Sequence, residues 1–277
     1  MADYNVNDHA LTHTAYWTAA VRALEHARPD RLFSDPWAQA LAGEIGAAWI
    51  AGRTPESVVP IVLRTRYFDD FLLRIVEQYP IRQIVMLAAG LDTRAYRLPW
   101  PAGMRFFELD QAELLAYKGQ MLGMAGAKPA GERQTIGIDL SSDWPAALRQ
   151  HGFDPAHPAV WMLEGFLFYL AEADLVKILD GVCQLAAPGS WLGFDCINSL
   201  VLTSPYTRKW VEMQAAQGAP WIGALDDPLG FLAERGWKAD MTQAGAPEAD
   251  HGRWTLPVFP VLMPGMPHNW YVTARKA

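Results

Sequence analysis

From residue 81 onward, short apolar runs alternate with stretches of helical periodicity, and this alternation constrains the fold more than any other feature of the chain. The runs at 83–88, 104–109, 135–138, 159–163 and 191–194 have the length and near-continuous apolarity of strands buried on both faces. Helical stretches at 92–98, 111–122, 144–150 and 173–187 fall between them. Strand and helix taking turns implies an α/β fold, a doubly wound, mostly parallel sheet with helices on both faces. Ahead of it, residues 9–27 lack helix breakers. Asp35-Pro36 and Thr54-Pro55 each pair an N-cap residue with a proline suited to the first helical position. Residues 1–80 therefore read as an N-terminal helical segment of about three helices packed on a core formed by residues 81–277. After Asn198 the chain becomes aromatic and proline-rich, and a terminal strand is expected at 270–274. The stretch from about 199 to 268 reads as a lid or substrate insertion within one domain.

Composition narrows the function. The chain has 277 residues, 51 % of them hydrophobic, which is enough for a large core. Only 19 % are charged and the formal net charge is −7, so the electrostatic footprint of a nucleic-acid binder is missing. Asp3 and Asp8 stand where a secretory signal would need a basic patch and an apolar run. The most apolar stretch, 158–171, carries Glu164 in its middle and falls short of the roughly 20 residues of a membrane helix. Neither nucleic acid nor membrane is an expected partner. Cys183 and Cys196 lack CxxC spacing and a neighbouring histidine pair, which suits reduced thiols of a cytoplasmic protein and gives no zinc site.

In an open parallel sheet, ligands bind beyond the carboxyl ends of the strands. Here each of those ends holds or adjoins an acid: Asp92 after the first, Glu108 and Asp110 at the second, Asp139 at the third, Glu164 at the fourth and Asp195 at the fifth. Such a crevice repels polyphosphate, and the glycine patterns that cradle phosphate are absent, since Ala88 stands at the first glycine position before Gly90. A ligand carrying amines, hydroxyls and positive charge without phosphate suits the acids, and S-adenosylmethionine answers that description. Asp110 follows Gly90 by the roughly 20 residues usual for the acid that takes ribose hydroxyls, with Glu108 as the neighbouring alternative. Asp139 is placed for the adenine amine, and Glu164 for the α-amino group or the sulfonium.

Arg64 is the most informative single residue. Phe68, Phe71, Leu72, Ile75, Val76 and Tyr79 follow it at helical spacing and mark an inward face, whereas Arg66 points away at about 100° per residue. A guanidinium buried without an anion costs several kcal/mol, so a carboxylate must meet it. Two partners fit: the carboxylate of the cofactor's methionine part, or an internal acid such as Asp92.

The run Arg64-Thr65-Arg66-Tyr67-Phe68-Asp69-Asp70, the segment 83–98 with its Leu91-Asp92-Thr93-Arg94-Ala95-Tyr96-Arg97-Leu98, the Phe107-Glu108-Leu109-Asp110-Gln111 run and the segment 161–170 together resemble the leucine carboxyl methyltransferase family. The bacterial branch with the tetracenomycin-type polyketide O-methyltransferases is the most similar part of it. The resemblance covers most of residues 12 to 200 and is loose in the C-terminal quarter. It implies a Rossmann-like class I methyltransferase fold and a cofactor site in which Arg64 holds the methionine carboxylate. In that site Ala88, Gly90 and Asp92 line the first loop, Asp110 takes the ribose, Asp139 and Leu140 frame the adenine, and Glu164 completes the enclosure. Ala88 departs from the family's usual glycine. Ser141 stands where the phosphatase-directed members carry an arginine, which argues against a phosphatase tail as substrate.

Methyl transfer is an in-line displacement that needs orientation and exclusion of water, with no covalent enzyme intermediate. A carboxylate acceptor is ionised at neutral pH and needs no base, whereas a phenol or alcohol does. None of the seven histidines stands beside a strand-end acid in sequence, which favours methyl-esterification of a carboxyl group on a small molecule, polyketide or peptide terminus. Tyr16, Trp17 and Tyr169 are the candidates for the acceptor pocket, and His9 and His13, four apart, do not make a metal site without a third ligand. The competing classes are a hydroxyl methyltransferase on the same fold, a nicotinamide oxidoreductase, which the missing glycines disfavour, and a non-catalytic binding protein.

Overall fold

The computed structural model describes residues 6–277, with side chains from residue 12 onward. Strands β1 (Gln83–Leu87), β2 (Arg105–Asp110), β3 (Glu132–Gly137), β4 (Ala159–Leu163), β5 (Trp191–Ile197), β6 (Trp237–Gln243) and β7 (Asn269–Lys276) form one sheet in the order β3-β2-β1-β4-β5-β7-β6. The pairings β1–β2, β1–β4, β2–β3 and β4–β5 are parallel, and β7 runs antiparallel to both its neighbours. Strand order reverses between β1 and β4, where a crevice opens beyond the strand ends.

Period-two alternation sorts the core. Val85, Leu87, Phe107, Leu109, Trp161 and Leu163 join Trp144 and Leu148 of α6 (Trp144–Gln150) and the buried face of α7 (Glu172–Leu185). Ile84, Met86, Phe106, Val160 and Met162 pack on the opposite face against Phe68, Phe71, Leu72 and Ile75 of α3 (Pro55–Gln78). Both central strands, β1 and β4, are buried along their whole length, as their unbroken apolar runs require.

The helices α1 (Val6–Ala27) and α2 (Ala38–Ala51) lie against α5 (Ala112–Met124), through Ala15, Ala19, Leu41, Leu114 and Leu122. Three helices precede the first strand, and Thr54 stands at the N-cap position of α3, without a side-chain capping bond, with Pro55 at its first position. Asp35 keeps part of the capping role expected of it, its Oδ1 accepting from the Trp37 N–H at 3.3 Å and its carbonyl from the Ala38 N–H at 3.2 Å. The helix starts at Ala38 behind Trp37, while the Asp35 carboxylate accepts from Arg22 at 2.8 Å and from the Thr93 hydroxyl at 2.6 Å. Arg22 also donates to the Leu91 carbonyl at 2.6 Å, so α1 is fastened to the loop that follows β1.

Strand β6 is a correction. It falls inside the stretch expected to be a lid, so part of that stretch belongs to the sheet. The strand alternates, with Trp237, Ala239 and Met241 toward the core and Lys238, Asp240 and Thr242 on the other face, so it lacks the continuous apolar run of the central strands and lies at an edge that pairs on one side only. The rest of the stretch holds α8 (Ser199–Thr203), α9 (Arg208–Ala216), α10 (Pro228–Ala233) and an irregular run, 244–268. Among the described residues no helix is long and apolar enough to cross a membrane.

Candidate functional site

A cavity of about 300 Å³ lies beyond the ends of β1, β2 and β4, walled on its outer side by Thr14, Ala15, Thr18 and Arg22 of α1. All eight residues expected to bind the cofactor line it: Arg64, Ala88, Gly90, Asp92, Asp110, Asp139, Leu140 and Glu164. The chain reverses sharply after β1, with Ala88 and Gly90 both at positive φ, +54° and +47°. Gly90 takes that conformation freely, whereas an alanine there carries a strain of about 1–2 kcal/mol. The backbone N–H groups of Gly90 and Gln111 donate to the two oxygens of Asp110, at 2.6 and 2.7 Å, and lock that carboxylate across the cavity. Burial pushes the Asp110 carboxyl up against these donors. Glu108, the alternative to it, points elsewhere: fully buried, it pairs with Lys118 at 2.6 Å and Arg133 at 2.7 Å. Asp139 is exposed at the rim, accepting from the Ser141 N–H at 2.8 Å, and Leu140 is buried beside it.

Arg64 sits on the inward face of α3, as its spacing predicts, but its internal partners are not Asp92. Its Nε donates to Glu164 at 3.1 Å and its Nη1 to Asp195 at 2.8 Å. Burial alone would lower the guanidinium's pKa; the carboxylates of Asp195 and Glu164 outweigh it and hold the group above its ordinary value. Asp92 belongs to Arg94 of the short helix α4 (Arg94–Arg97), whose Nη1 lies 2.5 Å from Asp92 and 2.7 Å from Glu164, while its Nε meets Asp69 at 2.7 Å. The contact between Arg94 and Glu164 lacks hydrogen-bond geometry, so Glu164 Oε2 stays buried without a hydrogen bond inside the cavity wall. That oxygen's ion-pair contact with Arg94 holds it in the wall, closed off from the cavity itself.

A second cavity, of about 360 Å³, opens off the first. The two share Thr14, Thr18, Arg64, Gly165 and Tyr169 in their walls. Aromatic groups dominate the second, with Trp17, Trp49, Phe168, Trp210, Trp221 and Trp254 among them, and Trp17 stacks on Trp49 at 5.2 Å. Among the described lining residues Arg64 is the sole Asp, Glu, Lys or Arg. Of the three aromatic residues named from the sequence, Trp17 and Tyr169 line this cavity, whereas Tyr16 lines neither cavity and packs on Tyr117 of α5, 5.2 Å between rings. One position earlier than Trp17 on α1, it is rotated to the other side of the helix.

Sequence reasoning missed two features. The first is Asp195 as the partner of Arg64, 131 residues away. The second is His268, which lines the aromatic cavity; its Nδ1 lies 2.9 Å from Gln243 Oε1, across the junction of β6 and β7 that was not foreseen. His9 lies outside the residues whose side chains are described.

The sequence profile of the leucine carboxyl methyltransferase family matches residues 15–183. A Mycolicibacterium smegmatis protein provisionally named an S-adenosyl-L-methionine-dependent methyltransferase is 37 % identical over 260 residues, spanning 86 % of this chain and 87 % of that protein. A Mycolicibacterium gilvum protein of the same provisional name is 40 % identical over 221 residues, 74 % of this chain and 73 % of its own. Among solved structures, a provisionally named methyltransferase from Thermobifida fusca superposes with a TM-score of 0.61 at 18 % identity, covering 93 % of this chain and 94 % of its own. The magnesium protoporphyrin IX methyltransferase of Synechocystis gives 0.52 at 12 % identity, covering 87 % and 93 %. At those identities the two structures speak for the fold alone.

Proposed function

Because the chain belongs to the leucine carboxyl methyltransferase family, we propose that it moves the methyl group of S-adenosylmethionine to an oxygen of a small, largely apolar acceptor, a carboxylate in preference to a hydroxyl. The observation that carries this reading is the pair of cavities meeting at Arg64, Gly165 and Tyr169, one polar and acid-lined, the other aromatic. A donor and an acceptor must meet in line, and two compartments sharing one short wall supply that arrangement.

The residues of the polar cavity suit the cofactor. Asp110, held by two backbone N–H groups, presents a fixed carboxylate to ribose hydroxyls; Leu140 gives the adenine an apolar surface and Asp139 an acceptor at the rim. Glu164 puts a carboxylate in the wall that suits an ammonium, and Arg64 keeps Nη2 for a carboxylate. The bound cofactor supplies an electrophilic methyl group on a sulfonium. The chain's own contribution is to orient both partners and, with aromatic walls around the junction, to keep water from it. The preference for a carboxylate rests on the family, since Arg64, the one Lys or Arg among the described residues of that cavity, is already engaged by Glu164 and Asp195.

A second reading, transfer to a phenol or alcohol, has one observation in its favour. His268 borders the aromatic cavity. Its Nδ1 lies 2.9 Å from Gln243 Oε1 and its Nε2 3.4 Å from the Met263 carbonyl, so it would serve as a base only with Nε2 turned from that carbonyl. The test is incubation with labelled S-adenosylmethionine and a matched panel of aromatic carboxylic acids and phenols. Product label released by mild alkali, with a rate flat from pH 6 to 8, supports the ester. Alkali-stable product with a rate rising through neutrality supports the ether. No transfer to any member by protein that binds the cofactor would remove the acceptor class.

A further inference from the structure

We infer that Asp195, which lines neither cavity, is the positioning residue that sets the register of the methyl donor by holding Arg64 and the loop after β4 together. This rests on reading the polar cavity as the donor compartment.

Asp195 lies near the C-terminal end of β5 and is fully buried. Its two oxygens serve two different donors: Oδ2 accepts from Arg64 Nη1 at 2.8 Å and Oδ1 from the Gly165 backbone N–H at 2.6 Å. One carboxylate therefore joins α3 to the loop that carries Glu164. Glu164 in turn takes Arg64 Nε, so the guanidinium is fixed from two sides and its orientation follows from the spacing between β4 and β5. Gly165 completes the clamp from above. It sits at φ +69°, and a Cβ there would lie 2.8 Å from Arg64 Nη2, the edge of the guanidinium still available to a ligand. The guanidinium, Glu164 and Gly165 are the walls nearest the methionine end of a donor lying between Asp110 and Arg64.

Asparagine cannot reproduce the clamp. It has one acceptor oxygen and one donor nitrogen, while the site presents two donors, so either Arg64 or the Gly165 N–H faces an amide NH₂. The disturbance falls on the methionine end of the site and leaves the ribose end, held by Asp110 on β2, untouched.

That asymmetry supplies the test. Titration calorimetry with S-adenosylhomocysteine and with 5′-methylthioadenosine, which shares the adenosine and thioether but lacks the amino-acid group, is run on the wild type and on D195N. The expected result is a loss of tenfold or more in S-adenosylhomocysteine affinity with 5′-methylthioadenosine affinity changed less than threefold. Parallel loss of both ligands would mark Asp195 as merely structural, and loss of neither would show that it positions nothing; either result overturns the inference. Should D195N fail to fold, G165A approaches the clamp from the other side and is expected to give the same selective loss, with parallel or absent loss again overturning it. A wild type that binds neither ligand refutes the donor-compartment reading and this inference with it. Wild-type binding with D195N unchanged refutes the inference alone.

Discussion

Replacing Arg94 by methionine removes a cation shared by three carboxylates: Asp92 at 2.5 Å, Asp69 at 2.7 Å and Glu164 at 2.7 Å. The loss is not the sum of three pairs. Asp69 keeps Arg97 at 2.6 Å, and Glu164 keeps Arg64 at 3.1 Å. Asp92 has no other ion-pair partner among the described residues and becomes the stranded charge. Breaking one buried pair costs about 3–5 kcal/mol, so the variant is expected to lose about 4 kcal/mol, a fall in Tm of roughly 10 °C for a chain of this size. The pH dependence gives a second check. In the wild type, burial opposes the Asp92 charge, but Arg94 and more distant cations outweigh it and hold the carboxyl below its ordinary value. A depressed carboxyl contributes stability above its unfolded pKa, which is lost as pH falls through the folded one. Without Arg94 the balance turns toward burial and the carboxyl moves up. The deficit of the variant is then largest at neutral pH and shrinks toward pH 5, as Asp92 takes up a proton. Urea unfolding of both proteins at pH 5, 6, 7 and 8 measures this. A deficit under about 1 kcal/mol at pH 7, or one constant over that range, would refute the assignment of Arg94 as the counter-ion of a buried charge.

Ala88→Val, placing a β-branched side chain at φ +54°, is expected to cost about 2 kcal/mol, whereas Ala88→Gly stays within about 1 kcal/mol of the wild type because relief of strain is offset by chain entropy; thermal melts separate the two. Trp17→Leu breaks the stack on Trp49 in the aromatic cavity and is expected to raise the acceptor KM at least fivefold while S-adenosylhomocysteine affinity moves less than twofold. The buried Glu108 is shared by Lys118 at 2.6 Å and Arg133 at 2.7 Å, so Lys118→Met, which leaves it Arg133, should destabilise by about 2 kcal/mol, whereas Glu108→Gln strands both cations and should cost about 3–5 kcal/mol in urea unfolding; a smaller loss for Glu108→Gln contradicts the pairing.

Local pattern made most of the sheet legible. The central strands carry unbroken apolar runs because both their faces are covered, and the five parallel strands stand where those runs fall. β3 begins earlier than its apolar run, at Glu132, because it pairs with β2 alone and tolerates Arg133 and Gln134. β6 escaped notice for the same reason. The strand-end acids were readable as a set, since topology brings all such ends to one crevice. Their pairing was not: Arg64 reaches Glu164 and Asp195 across 100 and 131 residues, and nothing local distinguishes them from Asp92 as partners. Tyr16 and Trp17 show the same limit on a helix, where one residue's rotation separates a packing role from a cavity wall.

The central claim is that Arg64 and Asp110 face each other across one cavity shaped for a single nucleoside-bearing amino acid. Titration of S-adenosylhomocysteine into the wild type, R64M and D110A tests it most directly. The account predicts one site per chain, with affinity lowered at least tenfold in each variant while its thermal unfolding remains cooperative. Equal affinity in all three proteins would contradict it.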